Sequence, residues 1–191
     1  MRALIIGLDA AEYDIIANGN YPHLKQMEYG RVEINVQPLF TPVVWASFIT
    51  GASKEKHGVH GLHKWRNSFV DRLRNLSLNV TLPKRVSEQL LRGRSVLESV
   101  GVKTRFYDKS DIKIPTIFDS VDKHIAISVP SYNEDSVNLM LQKKETDALR
   151  TGNRKLMKET EELAWQIFRE ERERVLDLLE RDWEIFMAHF Y

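Results

Sequence analysis

Phe40-Thr41-Pro42-Val43-Val44-Trp45-Ala46-Ser47-Phe48-Ile49-Thr50-Gly51, running on to His57-Gly58, is the stretch on which the reading of this chain turns. It follows an apolar, strand-like run from Val32 to Val36 and sets a hydroxyl directly before a proline and a charge-free helical segment. Pro42 suits the first position of a helix, where its missing N–H would have no partner in any case. Thr41 is then expected at the N-cap, with free backbone N–H groups and the positive end of the helix dipole beside its oxygen. Such a place stabilises an anion, either a phosphate or the threonine's own alkoxide. Capping alone is the plainer role for the same side chain.

Working outward, Met1-Arg2-Ala3-Leu4-Ile5-Ile6-Gly7-Leu8-Asp9-Ala10-Ala11 reads as a buried strand ending in a carboxylate. Ligands of open α/β sheets sit outside the carboxyl ends of strands, and Asp9 and Thr41 are both expected there. Asp9, Thr41-Pro42, Ser47, Thr50-Gly51 and His57-Gly58 together resemble the alkaline phosphatase superfamily, most closely its type I phosphodiesterase/nucleotide pyrophosphatase branch. The resemblance covers about residues 1–60 well and the remainder thinly.

The resemblance implies a three-layer α/β sandwich with a mainly parallel sheet. It also implies a metal-dependent phosphoric ester hydrolase in which Thr41 is the nucleophile and a metal ligand, and Asp9 a second ligand of the same ion. A complete member of the family carries two divalent ions, for which zinc, manganese and magnesium are the candidates. In such enzymes an Asp and a His follow the last strand read here, Trp183 to Tyr191, and this chain has no counterpart of them. A truncated fold is therefore expected, with weak or absent metal binding. A catalytically silent binding or assembly module is the rival reading. The branch carries an Asn five residues after the His-Gly histidine, where this chain has Leu62; Asn67 is a candidate substitute. That departure keeps a phosphomonoesterase or phosphomutase relative open. The threonine leans towards the diesterase branch, since mutase relatives use serine.

Composition sets the outer limits. The 191 residues, 42% hydrophobic, suffice for one core and one domain. Basic and acidic residues number 28 and 27, so no bulk attraction to a nucleic acid polymer or a membrane surface follows. A phosphate-ester or nucleotide-like small molecule is the expected partner. The absence of cysteine excludes disulfides and thiolate metal sites, and no apolar run approaches the ~20 residues of a membrane span, so a cytoplasmic protein is expected.

Along the chain, Glu12 to Ala17 starts a helix that Asn18-Gly19-Asn20 breaks, and His23 to Glu28 reads as a second short helix. Arg31 to Leu39 alternates as a second strand. Residues 62–114 carry twelve basic against five acidic side chains, with a helical period over Val86 to Val100, and read as a basic insertion or cap. Ile114 to Val121 is a short helix, His124 to Val129 a strand, and Lys144 to Arg181 a long amphipathic helix interrupted at Gly152-Asn153. His57, His60 and His63 recur at three-residue spacing, but Gly58 and Gly61 favour a turn over a metal-binding helix face. Trp45, Trp165 and His189 are expected in the core. A sheet ending at Trp183 to Tyr191 is expected to expose an edge and to self-associate through it.

Overall fold

The computed structural model describes residues 2–9, 11–25, 28, 30–32, 34, 36–37, 39–65, 104–134 and 136–191. Strand β1 (Ala3–Leu8) is followed by helix α1 (Tyr13–Asn18). Helix α2 (Thr41–Thr50) and the single turn α3 (Lys54–His57) come next. Strands β2 (Lys64–Trp65) and β3 (Thr104–Arg105) form a small antiparallel pair. Two 3₁₀ turns, Lys109–Asp111 and Ile117–Ser120, lead to β4 (His124–Ile127). The chain then forms a hairpin of two long helices, α4 (Ser136–Thr151) and α5 (Arg154–Leu179), and enters β5 (Ile185–Phe190).

The main sheet has the order β1-β5-β4, parallel throughout, with β5 in the centre. Side chains alternate across it. Met187 joins Ile5, Trp45, Ile49, Phe118 and Val129 in one apolar cluster. Phe186 and Ala188 join Val175, Leu178 and Trp183 in another. Thus α2 is packed against one set of β5 side chains and α5 against the alternate set. A run buried this way reads as continuous apolar sequence, as Ile185 to Phe190 does. At β1 the pattern is one-sided: Leu4, Ile6 and Leu8 are 51%, 45% and 38% exposed.

The α4–α5 hairpin follows directly from local sequence. Gly152 takes a left-handed φ of 62°, and the Asn153 side chain accepts hydrogen bonds from the amides of Lys155 and Leu156 to start α5. Thr116 and Asp119 close the turn at Ile117–Ser120 as a reciprocal capping box.

Several sequence expectations need correction. Residues 31–39 carry no strand among their described members, and Val32 is 80% exposed. Alternation signals half-burial, but a strand exists only where a neighbour offers a ladder, and the described sheet is built from other segments. The expected second helix at His23 is, in its described part, one turn in which the amides of Leu24 and Lys25 donate to the Tyr21 carbonyl. Trp165 is 56% exposed on α5 rather than in the core. The periodic segment Val86 to Val100, Asn67 and most of the basic stretch lie outside the described residues. Of its basic residues, Lys64, Arg105, Lys109 and Lys113 are described; Lys64 and Arg105 clasp the buried carboxylate of Asp111, at 2.6 Å and 2.5 Å.

Candidate active site

Asp9 is the first residue after β1, and its amide donates to the Phe190 carbonyl at 2.9 Å. By alternation it follows Ile5 and Gly7, which share register with Met187 and His189 on the α2 side of the sheet. Gly7 is required there. A Cβ at that position would lie 2.6 Å from two ring carbons of Trp45, so only glycine lets α2 come this close to the strand end.

Thr41 begins α2, but not as its cap. The N-cap is Phe40, whose carbonyl takes the amides of both Val43 and Val44 at 2.9 Å and 3.0 Å, and no side chain caps the helix. Two consequences follow. The Thr41 hydroxyl is not spent on capping, and the cluster of free amides expected beside it is reduced, because Pro42 has no N–H and the next two amides are bonded. The dipole end remains. Pro42, Val43, Ala46 and Ile49 are buried on one stripe, and Gly51, at a φ of 63°, stops the helix.

Asp9 and Thr41 both line one cavity of about 220 Å³, together with Leu62, Glu134, Gln142 and Tyr191. Leu62, the apolar residue at the departure from the family pattern, therefore faces the same space. Glu134 was not singled out in the sequence. It follows β4 through a loop with two non-glycine residues in the left-handed region, Ser128 at a φ of 53° and Ser131 at 62°. Ser131, fully buried, donates to the Pro42 carbonyl at 3.2 Å and so ties this loop to the start of α2. Burial pushes the Glu134 carboxyl up to about 7, against a hydrogen bond from Gln142, and the charge of Asp9 adds to the rise. The available signal was positional: Glu134 is an acid just beyond the carboxyl end of a strand, as Asp9 is.

The histidines sort into structural roles. His57 is fully buried; its Nδ1 accepts from the Val59 amide at 3.1 Å, which leaves Nε2–H to donate to Ser47 Oγ at 3.0 Å. Burial, with a smaller contribution from the nearby His60, lowers its pKa to about 4, so the ring is neutral at physiological pH. Ser47 and His57-Gly58 thus brace α2 and the following turn. His63 stacks on Phe106. His189 packs edge-on against Trp45, and burial lowers its pKa while the charge of Asp9 opposes that shift.

Among the described residues no group of three or more His, Cys, Asp or Glu side chains is arranged to hold a metal ion. The side-chain donors lining the cavity are the carboxylates of Asp9 and Glu134, the Gln142 amide and the hydroxyls of Thr41, Thr146 and Tyr191, with oxygen the only ligating atom they offer to a hard cation. This set fits a single oxygen-preferring divalent cation, whose charge would offset the Asp9–Glu134 repulsion, and does not fit two such ions.

A family model for type I phosphodiesterase / nucleotide pyrophosphatase matches residues 3–190. The chain belongs to that family, and with it to the alkaline phosphatase superfamily. No match was found among curated proteins or among solved structures. Members of the family act on phosphate esters or nucleotides and are typically metal-dependent. The match extends well past the motif-bearing first 60 residues, and the parallel sheet with its flanking helices agrees with an alkaline phosphatase-like fold. Among the described residues, no helix is long and apolar enough to cross a membrane.

Proposed function

We propose that this chain is a phosphoric ester hydrolase of the phosphodiesterase type whose nucleophile is Thr41 and whose site is the cavity at the carboxyl edge of the sheet. The observation that carries this reading is the shared cavity: Asp9 at the end of β1 and Thr41 at the start of α2 meet there. In the proposed reaction Thr41 Oγ1 attacks phosphorus, the bond to the leaving oxygen breaks, and a phosphothreonine forms. Water then attacks the same phosphorus, releases phosphate or its monoester, and restores the hydroxyl. Asp9 and Thr41 would hold a divalent cation, with Glu134 as a further oxygen donor. When bound, the ion supplies charge to lower the pKa of the hydroxyl and to stabilise the oxygens of the transition state. The helix dipole at Thr41 favours the developing anion. A three-layer sandwich and a cytoplasmic location form part of the same proposal.

A phosphomonoesterase is the second reading, and Leu62 is the observation that favours it. It puts an apolar side chain where the diesterases keep a phosphate-contacting amide.

Because few ligands are assembled here, steady turnover of nitrophenyl esters is expected to stay near background with zinc, manganese or magnesium. Single-turnover labelling is the sharper test. Incubation with nitrophenyl phosphate, or with its bis-ester, should add one phosphoryl or nitrophenyl phosphoryl group at Thr41, detected by mass spectrometry. The label should be absent in Thr41→Ala and strongly reduced in Asp9→Ala. Labelling that persists in Thr41→Ala would overturn the assignment, and the ester that labels faster separates the two readings.

A further inference from the structure

The cavity of Asp9 and Thr41 has few groups that could hold an anion. Among the described residues its lining carries two carboxylates, Asp9 and Glu134, two apolar side chains, Pro42 and Leu62, and no lysine, arginine or histidine. The backbone at the start of α2 adds little, because Pro42 has no N–H and the amides of Val43 and Val44 are bonded to the Phe40 carbonyl. The hydroxyls are also engaged. Thr41 supplies the attacking oxygen, Thr146 donates to the Gln142 carbonyl at 2.8 Å, and Tyr191 donates to the Glu145 carboxylate.

Gln142 is the side-chain donor that remains. It stands one turn before Thr146 on the face of α4 that borders this cavity, and it is half-buried. One N–H of its amide reaches Glu134 Oε1 at 3.3 Å, a long contact for such a bond. A primary amide carries two N–H groups, and the second meets no acceptor among the described residues. Ser131 ties the loop that carries Glu134 to the start of α2 through the Pro42 carbonyl. The amide and the Thr41 hydroxyl therefore open on one space whose walls are braced against each other.

We propose that the Gln142 carboxamide binds substrate at this site, donating a hydrogen bond to a non-bridging oxygen of the phosphate ester whose phosphorus lies at Thr41. The inference rests on the phosphate-ester reading above and adds to it the group that orients an anion between two acids. A neutral donor suits that task. It strengthens when its acceptor is charged, yet it brings no charge of its own to the empty cavity.

Methylphosphonate, which has no ester bond to lose, is the probe, titrated into the full chain in excess magnesium and followed by nuclear magnetic resonance. The Thr41 amide reports the arrival of the phosphonate, and the side-chain N–H pair of Gln142 reports contact with it. Both should shift along one binding curve. Gln142→Leu keeps the bulk and loses the donors, and should weaken binding about tenfold or more, the size of one hydrogen bond to a charged group. Gln142→Glu should weaken it further, since a third carboxylate then faces the anion. Unchanged backbone signals of β5 in both variants show that the fold survives. A shift at Thr41 with the Gln142 pair unmoved, or a Gln142→Leu affinity within about twofold of the unaltered protein, overturns the inference and leaves the phosphate-ester reading intact. No shift at Thr41 sinks that reading and the inference with it.

Discussion

Asp111 and Glu134 are both largely buried carboxylates in loops between regular elements, yet their surroundings push them in opposite directions. Burial by itself would raise the Asp111 pKa, but hydrogen bonds from Arg105 and Lys64, and from the Asp108 amide, hold it below the ordinary value. Glu134 is pushed up to about 7 by burial, which the one neutral hydrogen bond from Gln142 at 3.3 Å opposes only in part, and the charge of Asp9 in the same cavity adds to the rise. A charge whose partners are supplied by the fold is part of the architecture. A charge kept in a cavity against burial and a like-charged neighbour is the pattern of a site built for something that arrives from outside.

The contrast can be broken by substitution, and the largest effect belongs to Asp111. Asp111→Ala strands two cations on a partly buried surface and should lower unfolding stability by about 3 kcal/mol in a denaturant titration. A loss below about 1 kcal/mol would mean that the cluster is solvated decoration. His57 comes next. His57→Ala removes the bonds to Ser47 and Val59 from a fully buried position and should cost about 2 kcal/mol.

The pH dependence of that histidine has a definite sign. Its folded pKa of about 4 lies below the unfolded value of 6.5, so the unfolded state binds the extra proton between those limits. Stability is fully present above pH 6.5 and declines as the pH falls towards 4. Proton uptake on unfolding in that window should drop by about one proton in His57→Ala.

Glu134 has the opposite sign and a smaller effect. Its folded pKa of about 7 exceeds the ordinary 4.5, so the ionised form is penalised as the pH rises through that interval. Glu134→Gln keeps an acceptor for Gln142 and removes the charge. It should stabilise the protein by on the order of 1 kcal/mol at pH 8 and leave it unchanged at pH 4. Destabilisation at pH 8 would place Glu134 with Asp111 as a structural acid. The smallest effect on folding is expected at β1. Ile6→Lys on its 45%-exposed face should change monomer stability by less than about 0.5 kcal/mol. Sedimentation at tens of micromolar should nevertheless show less self-association, if the apolar face of β1 joins copies of the chain. A clean monomer before substitution would remove that idea.

The elements most legible in the sequence were those fixed by short-range rules. Continuous apolar runs located β1, β4 and β5, although only the central β5 is covered on both faces and β1 leaves Leu4, Ile6 and Leu8 exposed. The Gly152-Asn153 break and the helical period around it located α4 and α5. Asp9 and Thr41 were visible because strand ends and helix starts are local events. Where reading failed, the missing information was a partner. The alternation of residues 31–39 could not say that no described strand pairs with it. Periodicity along α5 could not say that Trp165 turns outward. The cap of α2 reads one residue late, at Thr41 rather than Phe40, since the two differ only in which carbonyl the first helical amides choose.

By itself the sequence determined the family, the parallel α/β class, the order of most elements and two residues at the carboxyl edge of the sheet. It could do so because hydrophobic period, proline and glycine punctuation, and the residues beside them act within a few positions of the chain. Tertiary structure alone decided that Leu62, Glu134, Gln142 and Tyr191 meet Asp9 and Thr41 around one space. It also decided that Asp111 is neutralised while Glu134 is not, because the pKa of a carboxyl depends on charges and solvent within a few ångströms, brought there by segments far apart in the chain.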